Sequence, residues 1–232
     1  MMKTFENKNT NPKYNLALEE FLCNEAKNKN LEFFMLWQNE PSVIIGRFQN
    51  NIDEIIDVSF AEKNNIQIVR RNSGGGAVYH DLGNINYSFI LKDEKNFTLE
   101  YFSKIIMKTL ENIGVNAKLE FSHNDIKADN LKISGTAQFR HNGILLHHGT
   151  LLFDTDLIIL SKVLKKSSGN ITNLKPLLQK NLNIMEFLEI LYSQFKTDYF
   201  SLSKENIYEI NNLMRVKYLN SDWNLRGVFN AI

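Results

Sequence analysis

The sequence predicts an α+β fold, in which a single mixed β-sheet domain is packed with helices. Short runs rich in β-branched and aromatic residues alternate with segments whose apolar residues recur at helical spacing. No linker, repeat or low-complexity tract divides the 232 residues. Hydrophobic residues make up 43% of the chain, which is ordinary for a globular protein and sufficient for a large core.

The first half of the chain is predicted to alternate between helices and strands. A helix is expected at residues 13–28, with Asn11 or Thr10 as its cap and Pro12 in its first turn. A second helix is expected around Asp53 to Lys63. Strands are predicted at Phe33 to Trp37, Ser42 to Ile45, Ile66 to Val69 and Ile85 to Leu91.

The second half is predicted to hold the remaining strands and a helical C-terminal part. A helix at 97–113 is followed by Gly114 as a stop signal. Turns are expected at Gly135 and at Asn142-Gly143. The predicted strands are Leu131 to Ile133, Ala137 to Arg140 and Ile144 to Phe153. The later segments are a loop at Lys165 to Asn170 and helices at Ile184 to Phe195 and Asn206 to Leu219.

Composition excludes several classes of protein. The net charge of +1 gives no overall field that would favour nucleic acid or an anionic membrane as a partner. The one cysteine, Cys23, excludes an internal disulfide and any CxxC site, and it suits a reducing compartment. No apolar run reaches 18 residues, and the N-terminus lacks the apolar region of a signal peptide. We therefore expect a cytoplasmic protein without a membrane partner.

The most informative segment contains three consecutive glycines, Gly74 to Gly76, directly after Arg70-Arg71-Asn72-Ser73. Glycines without Cβ atoms let backbone N–H groups approach a ligand closely. Arginine adds planar donors suited to phosphate or carboxylate. The pattern predicts a cradle for an anionic small molecule, and a glycine-rich hairpin turn is the alternative because His80, Asp81 and Gly83 also suit turns.

A second candidate is Lys132, which opens the segment Lys132 to Ala137. A lysine before a Gly turn can place a cation at a ligand site, although a surface lysine in a β-turn is the more common case for such a pattern alone. Asn124-Asp125, just upstream, forms either an Asx turn or a group that orients the lysine.

Other chemistries find less support. The chain has no GxxxxGK[ST] loop and no GxGxxG after a strand. A hydrolase built from Ser73, His80 and Asp81 is disfavoured because Ser73 is not in a GxSxG elbow. His147 and His148 would point to opposite faces of a strand and cannot easily bind one metal, so no metal ligands are assigned.

Together these segments resemble the lipoate–protein ligase family. The resemblance covers roughly residues 10–175 and is weaker beyond. It rests on Asn15 to Glu20, Pro41 to Gln49, Arg70 to Asn84, Asn124 to Ile126, Lys132 to Ala137, and His148 to Leu152. It implies one catalytic domain over 1–232, with a core at about 10–175 and C-terminal helices at 176–232, in the fold shared by biotin ligases and class II aminoacyl-tRNA synthetases.

The resemblance also implies a two-step reaction with lipoate as substrate and ATP and Mg²⁺ as cofactors. Lipoyl-AMP forms first, and the lysine of an acceptor then takes the lipoyl group. The acceptors are the lipoyl domains of 2-oxoacid dehydrogenase E2 subunits or the glycine cleavage H protein. Lys132 is the implied catalytic residue. The implied ligand-binding residues are Arg70, Arg71, Ser73, Gly74, Gly75, Gly76, Ala77, Val78, Tyr79, Asn84, Asp125, Lys132, Thr136, His148 and Gly149.

The chain departs from the family pattern in two places. Many family members carry a C-terminal accessory domain, which we expect to be lacking here, and the segment between Asp156 and Thr172 is shorter than usual. Alternatives are therefore a transferase that uses only preformed lipoyl-AMP, or an enzyme that needs a separate accessory protein. A further alternative is an octanoyl- or lipoyl-transferase that works by a thioester route. It would need a cysteine at the ligand, whereas Cys23 is expected in the core. A non-enzymatic alternative is a protein that only docks lipoyl domains or binds the ligand. Such a protein would be expected to lose Lys132 before the glycines, and Lys132 is present.

Overall fold

The computed structural model describes residues 2–94, 97–122, 124–165, 170–195 and 198–228. It confirms the α+β prediction. The strands are β1 (Met2–Glu6), β2 (Glu32–Trp37), β3 (Ser42–Ile45), β4 (Gln67–Arg70), β5 (Val78–His80), β6 (Asn84–Lys92), β7 (Ala117–Glu120), β8 (Asp125–Ala128), β9 (Leu131–His141) and β10 (Ile144–Leu152). The α-helices are α1 (Pro12–Lys29), α2 (Ile52–Ile55), α3 (Val58–Lys63), α4 (Leu99–Asn112), α5 (Leu157–Val163), α6 (Ile184–Ser193) and α7 (Lys204–Leu213).

Seven strands form the main sheet in the order β1-β2-β6-β10-β9-β8-β7. Only β1 and β2 pair in parallel, and the other neighbours are antiparallel. A second sheet of three strands has the order β4-β3-β5. The sheet is therefore mixed, as predicted, with a small second sheet added to it.

Both faces of the main sheet are covered, which explains why the central strand β6 is apolar or buried almost throughout. On one face α1 packs through residues such as Leu18 and Leu22. On the other face α4 and α6 pack through residues such as Phe102 and Phe187. A third apolar cluster, which includes Val43 and Leu160, lies at the small sheet.

The strongest sequence patterns are confirmed. Helix α1 begins after Asn11, whose side chain accepts hydrogen bonds from the backbone N–H groups of Lys13 (2.9 Å) and Tyr14 (3.2 Å). Helix α4 is capped by Thr98 and lies where the 97–113 pattern predicts it. The turn at Asn142-Gly143 joins β9 to β10.

Other predictions are wrong in detail. The helix around Asp53 to Lys63 is two short helices, because Ile56 is extended and Asp57 caps a new start at Val58. Gly135 is not a turn, since β9 runs through it without interruption and Gly135 pairs with Asp125 of β8. Strands β1, β5, β7 and β8 were not predicted, being short and lacking a clear apolar alternation.

The C-terminal helices differ in their ends. Helix α6 stops at Ser193, and the predicted helix at Asn206 to Leu219 is α7 followed by a π-helical turn, Met214–Tyr218. A second π-helical turn follows at Asp222–Arg226. Of the predicted loop at Lys165 to Asn170, residues 166–169 lie outside the described residues. In the described part of the chain, no helix combines the length and apolarity needed to cross a membrane.

Candidate active site

A cavity of about 170 Å³ lies where the two sheets meet the start of α1. Its walls come from both sheets, with Ile44 and Val78 on the small sheet and Lys132 and His148 on the main sheet. A smaller cavity of about 50 Å³ shares Ala77, Val78, Lys132, Gly135 and Thr150 with it and extends between residues such as Leu160 and Ile171. The two cavities form one site with a wider and a narrower compartment.

Lys132 lies at the junction of the two compartments. Its Nζ is 2.8 Å from Oδ1 of Asp125, a carboxylate that is only 5% exposed. The two residues belong to β8 and β9, which are joined by a two-residue turn. A β-bulge between Ile126 and Lys127 shifts the register of this hairpin. Of the two alternatives for Asn124-Asp125, the structure supports the one in which Asp125 orients the lysine.

The backbone at the start of β8 is held against β9. Asn124 has a left-handed backbone with φ of 57°, and its carbonyl accepts hydrogen bonds from the hydroxyl (2.9 Å) and the N–H (3.2 Å) of Thr136. Thr136 therefore fixes the approach of the chain to Asp125.

The glycine loop forms the opposite wall. Gly75 has φ of +91°, which only glycine adopts without strain, and Gly75 and Gly76 line the cavity. Gly46 packs flush against this loop, since a Cβ there would lie 2.1 Å from the carbonyl oxygen of Gly75. The turn at residues 46–49 thus supports the loop from behind.

Arg71 holds the loop from inside. Its guanidinium donates to the carbonyls of Gly74 (2.7 Å) and Gly76 (2.8 Å) through Nη2 and to Ile44 (3.1 Å) through Nη1. Its Nε donates to Ser73 Oγ at 2.9 Å. Burial lowers the pKa of Arg71 to about 10, against a raising effect of Glu19, so the group stays charged at neutral pH. A single buried cation therefore holds two of the loop carbonyls, those of Gly74 and Gly76.

A chain of buried hydrogen bonds continues from Ser73 into the core. Ser73 Oγ lies 2.6 Å from His148 Nε2, and His148 Nδ1 lies 2.9 Å from Glu19 Oε1. A carboxylate only accepts, so Nδ1 donates to Glu19, and in the neutral ring Nε2 accepts from the serine hydroxyl. Glu19 also accepts from Ser88 at 2.7 Å, which in turn accepts from Trp37 at 2.9 Å.

One part of the cavity lining is apolar and includes two polar side chains. Leu16, Trp37 and Ile44 line it together with His80 and Asn86. His80 Nδ1 pairs with the side chain of Asn39 at 3.0 Å, and burial lowers the pKa of His80 to about 3, so the ring is neutral. Within the described residues, His80 Nε2 and Asn86 Nδ2 have no hydrogen-bond partner. The wall therefore suits an apolar ligand that offers a weak acceptor.

The structure brings together most of the residues implied by the sequence resemblance. Those that line the main cavity are Arg71, Gly75, Gly76, Ala77, Val78, Asp125, Lys132, Thr136, His148 and Gly149. Tyr79 lines the smaller compartment. Ser73 and Gly74 support the loop but do not line the cavity. Asn84 does not line it either, because it is buried against Asn86, which lines the cavity instead.

Arg70 does not fit the ligand-binding role expected for it. Its side chain is fully buried and donates only to main-chain carbonyls, among them those of Gly46 (2.9 Å), Gln49 (2.8 Å) and Trp223 (2.9 Å). Successive residues of an extended chain face opposite ways, so Arg70 points away from the cavity that Arg71 lines.

Several lining residues were not named as site residues from the sequence. These are Leu16, Trp37, Ile44, His80, Asn86, Asn124, Gly135, Ala137 and Thr150. Leu16, Ile44 and Asn124 lie inside the motifs that carry the resemblance, so those motifs could have identified them as site residues. Trp37 and Asn86 stand out from no local pattern, because only the pairing of β2 with β6 brings them to the cavity.

The disfavoured chemistries remain without support. Ser73 contacts His148 rather than His80, and its side chain is fully buried. His147 faces away from His148 and stacks on Phe102 with ring centroids 4.2 Å apart. Cys23 packs against the core at α1 and does not line either cavity. In the ranges that the structure describes, no group of three His, Cys, Asp or Glu side chains could hold a metal ion.

Comparison with known proteins decides the family. The lipoyl protein ligase A/B catalytic domain matches residues 11–196, which is most of the chain. The chain belongs to this family. Among curated relatives, lipoate-protein ligase LplJ of Bacillus subtilis is 36% identical over 245 residues, covering 96% of this chain and 73% of the relative. The family is one of enzymes.

Solved structures agree with the family's fold. A lipoate-protein ligase A bound with ATP superimposes with a TM-score of 0.86 at 27% identity, covering 98% of this chain and 100% of the other. A candidate lipoate protein ligase from T. acidophilum with bound lipoic acid has a TM-score of 0.84 at 27% identity, covering 97% and 98%. The lipoate-protein ligase fold expected from the sequence, a mixed sheet packed with helices, is therefore confirmed.

Proposed function

We propose that this chain is a lipoate–protein ligase, which activates lipoate with ATP and transfers the lipoyl group to a lysine of an acceptor protein. The observation that carries the proposal is the convergence of Lys132, the glycine loop and an apolar wall on one cavity. A carboxylic acid with an apolar tail and a nucleotide phosphate need these three features together. Relatives described as bound to ATP and to lipoic acid support both ligands.

In the first step the lipoate carboxylate attacks the α-phosphorus of ATP, and pyrophosphate leaves. Two anions must meet, so a fixed cation between them lowers the barrier. Lys132 supplies that cation, and Asp125 holds its side chain in place at 2.8 Å. Glycine-loop N–H groups are donors for the phosphates, and Arg71 keeps the loop in the shape that presents them.

When bound together with ATP, Mg²⁺ would neutralise part of the charge on the phosphates. Asp125 is the acidic side chain among the cavity-lining residues, and its carboxylate is the kind of hard oxygen donor that Mg²⁺ prefers. It is the residue that would hold the ion.

In the second step the acceptor lysine attacks the acyl carbonyl of lipoyl-AMP, and AMP leaves with the electron pair. We place the lipoyl tail against Leu16, Trp37 and Ile44 and the carboxyl end near Lys132. The acceptors we propose are lipoyl domains of 2-oxoacid dehydrogenase E2 subunits or the glycine cleavage H protein, working in the cytoplasm. The alternative to this self-sufficient ligase is a chain that needs a separate accessory protein for activation.

One experiment separates the complete ligase from its alternatives. An apo lipoyl domain is incubated with the chain and either ATP, Mg²⁺ and lipoate or preformed lipoyl-AMP, and its mass is measured. We expect a lipoyl mass increase in both reactions. Modification from lipoyl-AMP alone would mean a transferase that needs a partner for activation. No modification in either reaction would contradict the proposed function.

A further inference from the structure

The glycine loop is fastened to a distant part of the chain through Arg70 and Asn72. These two residues alternate with Arg71 and Ser73, which face the cavity side. Arg70 and Asn72 face the opposite way, towards the segment that contains the two π-helical turns, residues 214–228. We call this segment the C-terminal clamp.

Arg70 is attached to the clamp through both its backbone and its side chain. Its N–H donates to Asn224 Oδ1 at 3.1 Å, and its carbonyl accepts from Trp223 Nε1 at 3.0 Å. Its guanidinium donates to the carbonyls of Trp223 (2.9 Å) and Leu225 (3.3 Å). The same guanidinium donates to Gly46 and Gln49, so Arg70 also joins the clamp to the turn behind the glycine loop.

Asn72 forms the second attachment, directly before Ser73 and the glycines. Its Oδ1 accepts from Lys217 Nζ at 2.8 Å, and its Nδ2 donates to Glu20 at 2.8 Å and to the hydroxyl of Tyr218 at 3.2 Å. Lys217 also donates to both oxygens of Glu20, at 3.0 Å and 2.7 Å. Lys217 is only 4% exposed, so this is an enclosed polar cluster and not a solvated surface pair.

The shape of the clamp is unusual in itself. In the first π-helical turn the N–H of Leu219 donates to the carbonyl of Met214, five residues back. Such turns are rare and are frequently found at functional sites. Here the first turn brings Lys217 and Tyr218 to Asn72, and the second brings Trp223 and Asn224 to Arg70.

We propose that the C-terminal clamp positions the glycine loop for ATP, and that Lys217, Tyr218 and Trp223 are positioning residues for the ligase reaction. The inference rests on the proposed function, since it assigns the loop to the nucleotide phosphates. The glycine amides bind phosphate in the ground state and the transition state alike, so loosening them weakens ATP binding more than it slows turnover.

The test compares Lys217→Met and Tyr218→Phe with Arg215→Met. Arg215 lies in the same π-helical turn, but it is exposed and bonds to Asn212, so its variant is a matched control. Hydrogen exchange of the hydrogen-bonded amides of Arg47 and Arg71, which hold the start of the loop, and steady-state kinetics of pyrophosphate release are measured. We expect about tenfold faster exchange at the loop and a KM for ATP raised about tenfold, with kcat little changed, in the first two variants only.

Loop exchange and a KM for ATP equal to those of the Arg215→Met control in both Lys217→Met and Tyr218→Phe would overturn the proposal. Uniform acceleration of exchange across the sheets would also overturn it, because it would show a general loss of stability. Tyr218→Phe removes one hydroxyl and keeps the ring, so the test can still be made with this variant if Lys217→Met fails to fold. If the wild-type chain released no pyrophosphate, the proposed function would fail while the exchange result would still decide whether the clamp holds the loop.

Discussion

The two walls of the active site are built in different ways. The lysine wall is local, since Lys132 and its partner Asp125 lie on adjacent strands of one hairpin. The glycine wall depends on residues that are distant in sequence. Its loop is held by His148, which is bonded to Glu19, and also by Gly46 and Trp223. The cationic group is thus placed by a short piece of chain, whereas the anion cradle depends on the whole domain. Changes on the two sides should therefore differ in how far they spread.

Replacing Lys132 should have the largest effect on activity and little effect on the fold. Lys132→Met removes the cation between the two anions, and we expect kcat for pyrophosphate release to fall about 10²- to 10³-fold. Lys127→Met is the matched control, since Lys127 pairs with Lys132 across the hairpin but bonds to Glu120 away from the cavity. Near-normal pyrophosphate release from Lys132→Met would remove Lys132 from the mechanism.

Gly46→Ala should damage the glycine wall through packing. The new methyl group would lie 2.1 Å from the Gly75 carbonyl oxygen, so either the turn or the loop must move. We expect a loss of about 1–3 kcal/mol in the free energy of unfolding, measured by urea titration, together with weaker ATP binding.

Gly76→Ala is the informative counterpart to Gly46→Ala. A methyl group at residue 76 meets no heavy atom within 4 Å, so stability should be retained while the approach of phosphate to the loop is hindered. An equal loss of stability in both variants would contradict the prediction that close packing at Gly46, and not at Gly76, supports the loop.

Cys23→Ser should have the smallest effect, because Cys23 belongs to neither wall. Its side chain packs against the core at α1, where a hydroxyl replaces a thiol of similar size at a cost of about 1 kcal/mol or less. Transfer from lipoyl-AMP to the acceptor, followed by mass spectrometry, should proceed at the wild-type rate. Loss of transfer with stability retained would instead support the thioester route.

The sequence anticipated the lysine wall better than the glycine wall for a physical reason. The residues Asp125, Lys132 and Thr136 lie within one short stretch, and a hairpin is enough to bring them together. The glycine run itself was also evident, because three glycines are rarely tolerated without a use for the exposed backbone. What holds the run in place was not evident.

Arg70 and Arg71 show what the local sequence cannot predict. Both are arginines before the same glycines, and local chemistry gives each the same affinity for phosphate. Their different roles arise from the alternation of an extended chain between two environments. Arg71 meets loop carbonyls, Ser73 and the cavity, whereas Arg70 meets carbonyls of residues 46–49 and 223–225. Gly135 is a second example. Its local pattern indicates a turn, but the chain is extended there because β9 pairs with β10 on one side and with β8 on the other.

Amino-acid patterns alone established the α+β class, the capped first helix, the glycine cradle, Lys132 and the resemblance to the lipoate–protein ligases, because these depend on residues close together in the chain. The apolar wall with Trp37, the hydrogen-bond chain from Ser73 to Glu19 and the clamp on Arg70 and Asn72 required the folded domain. They join residues 51 to 153 positions apart in the chain, and these residues meet only when the sheets and α1 have packed, so no local sequence pattern predicts the pairing.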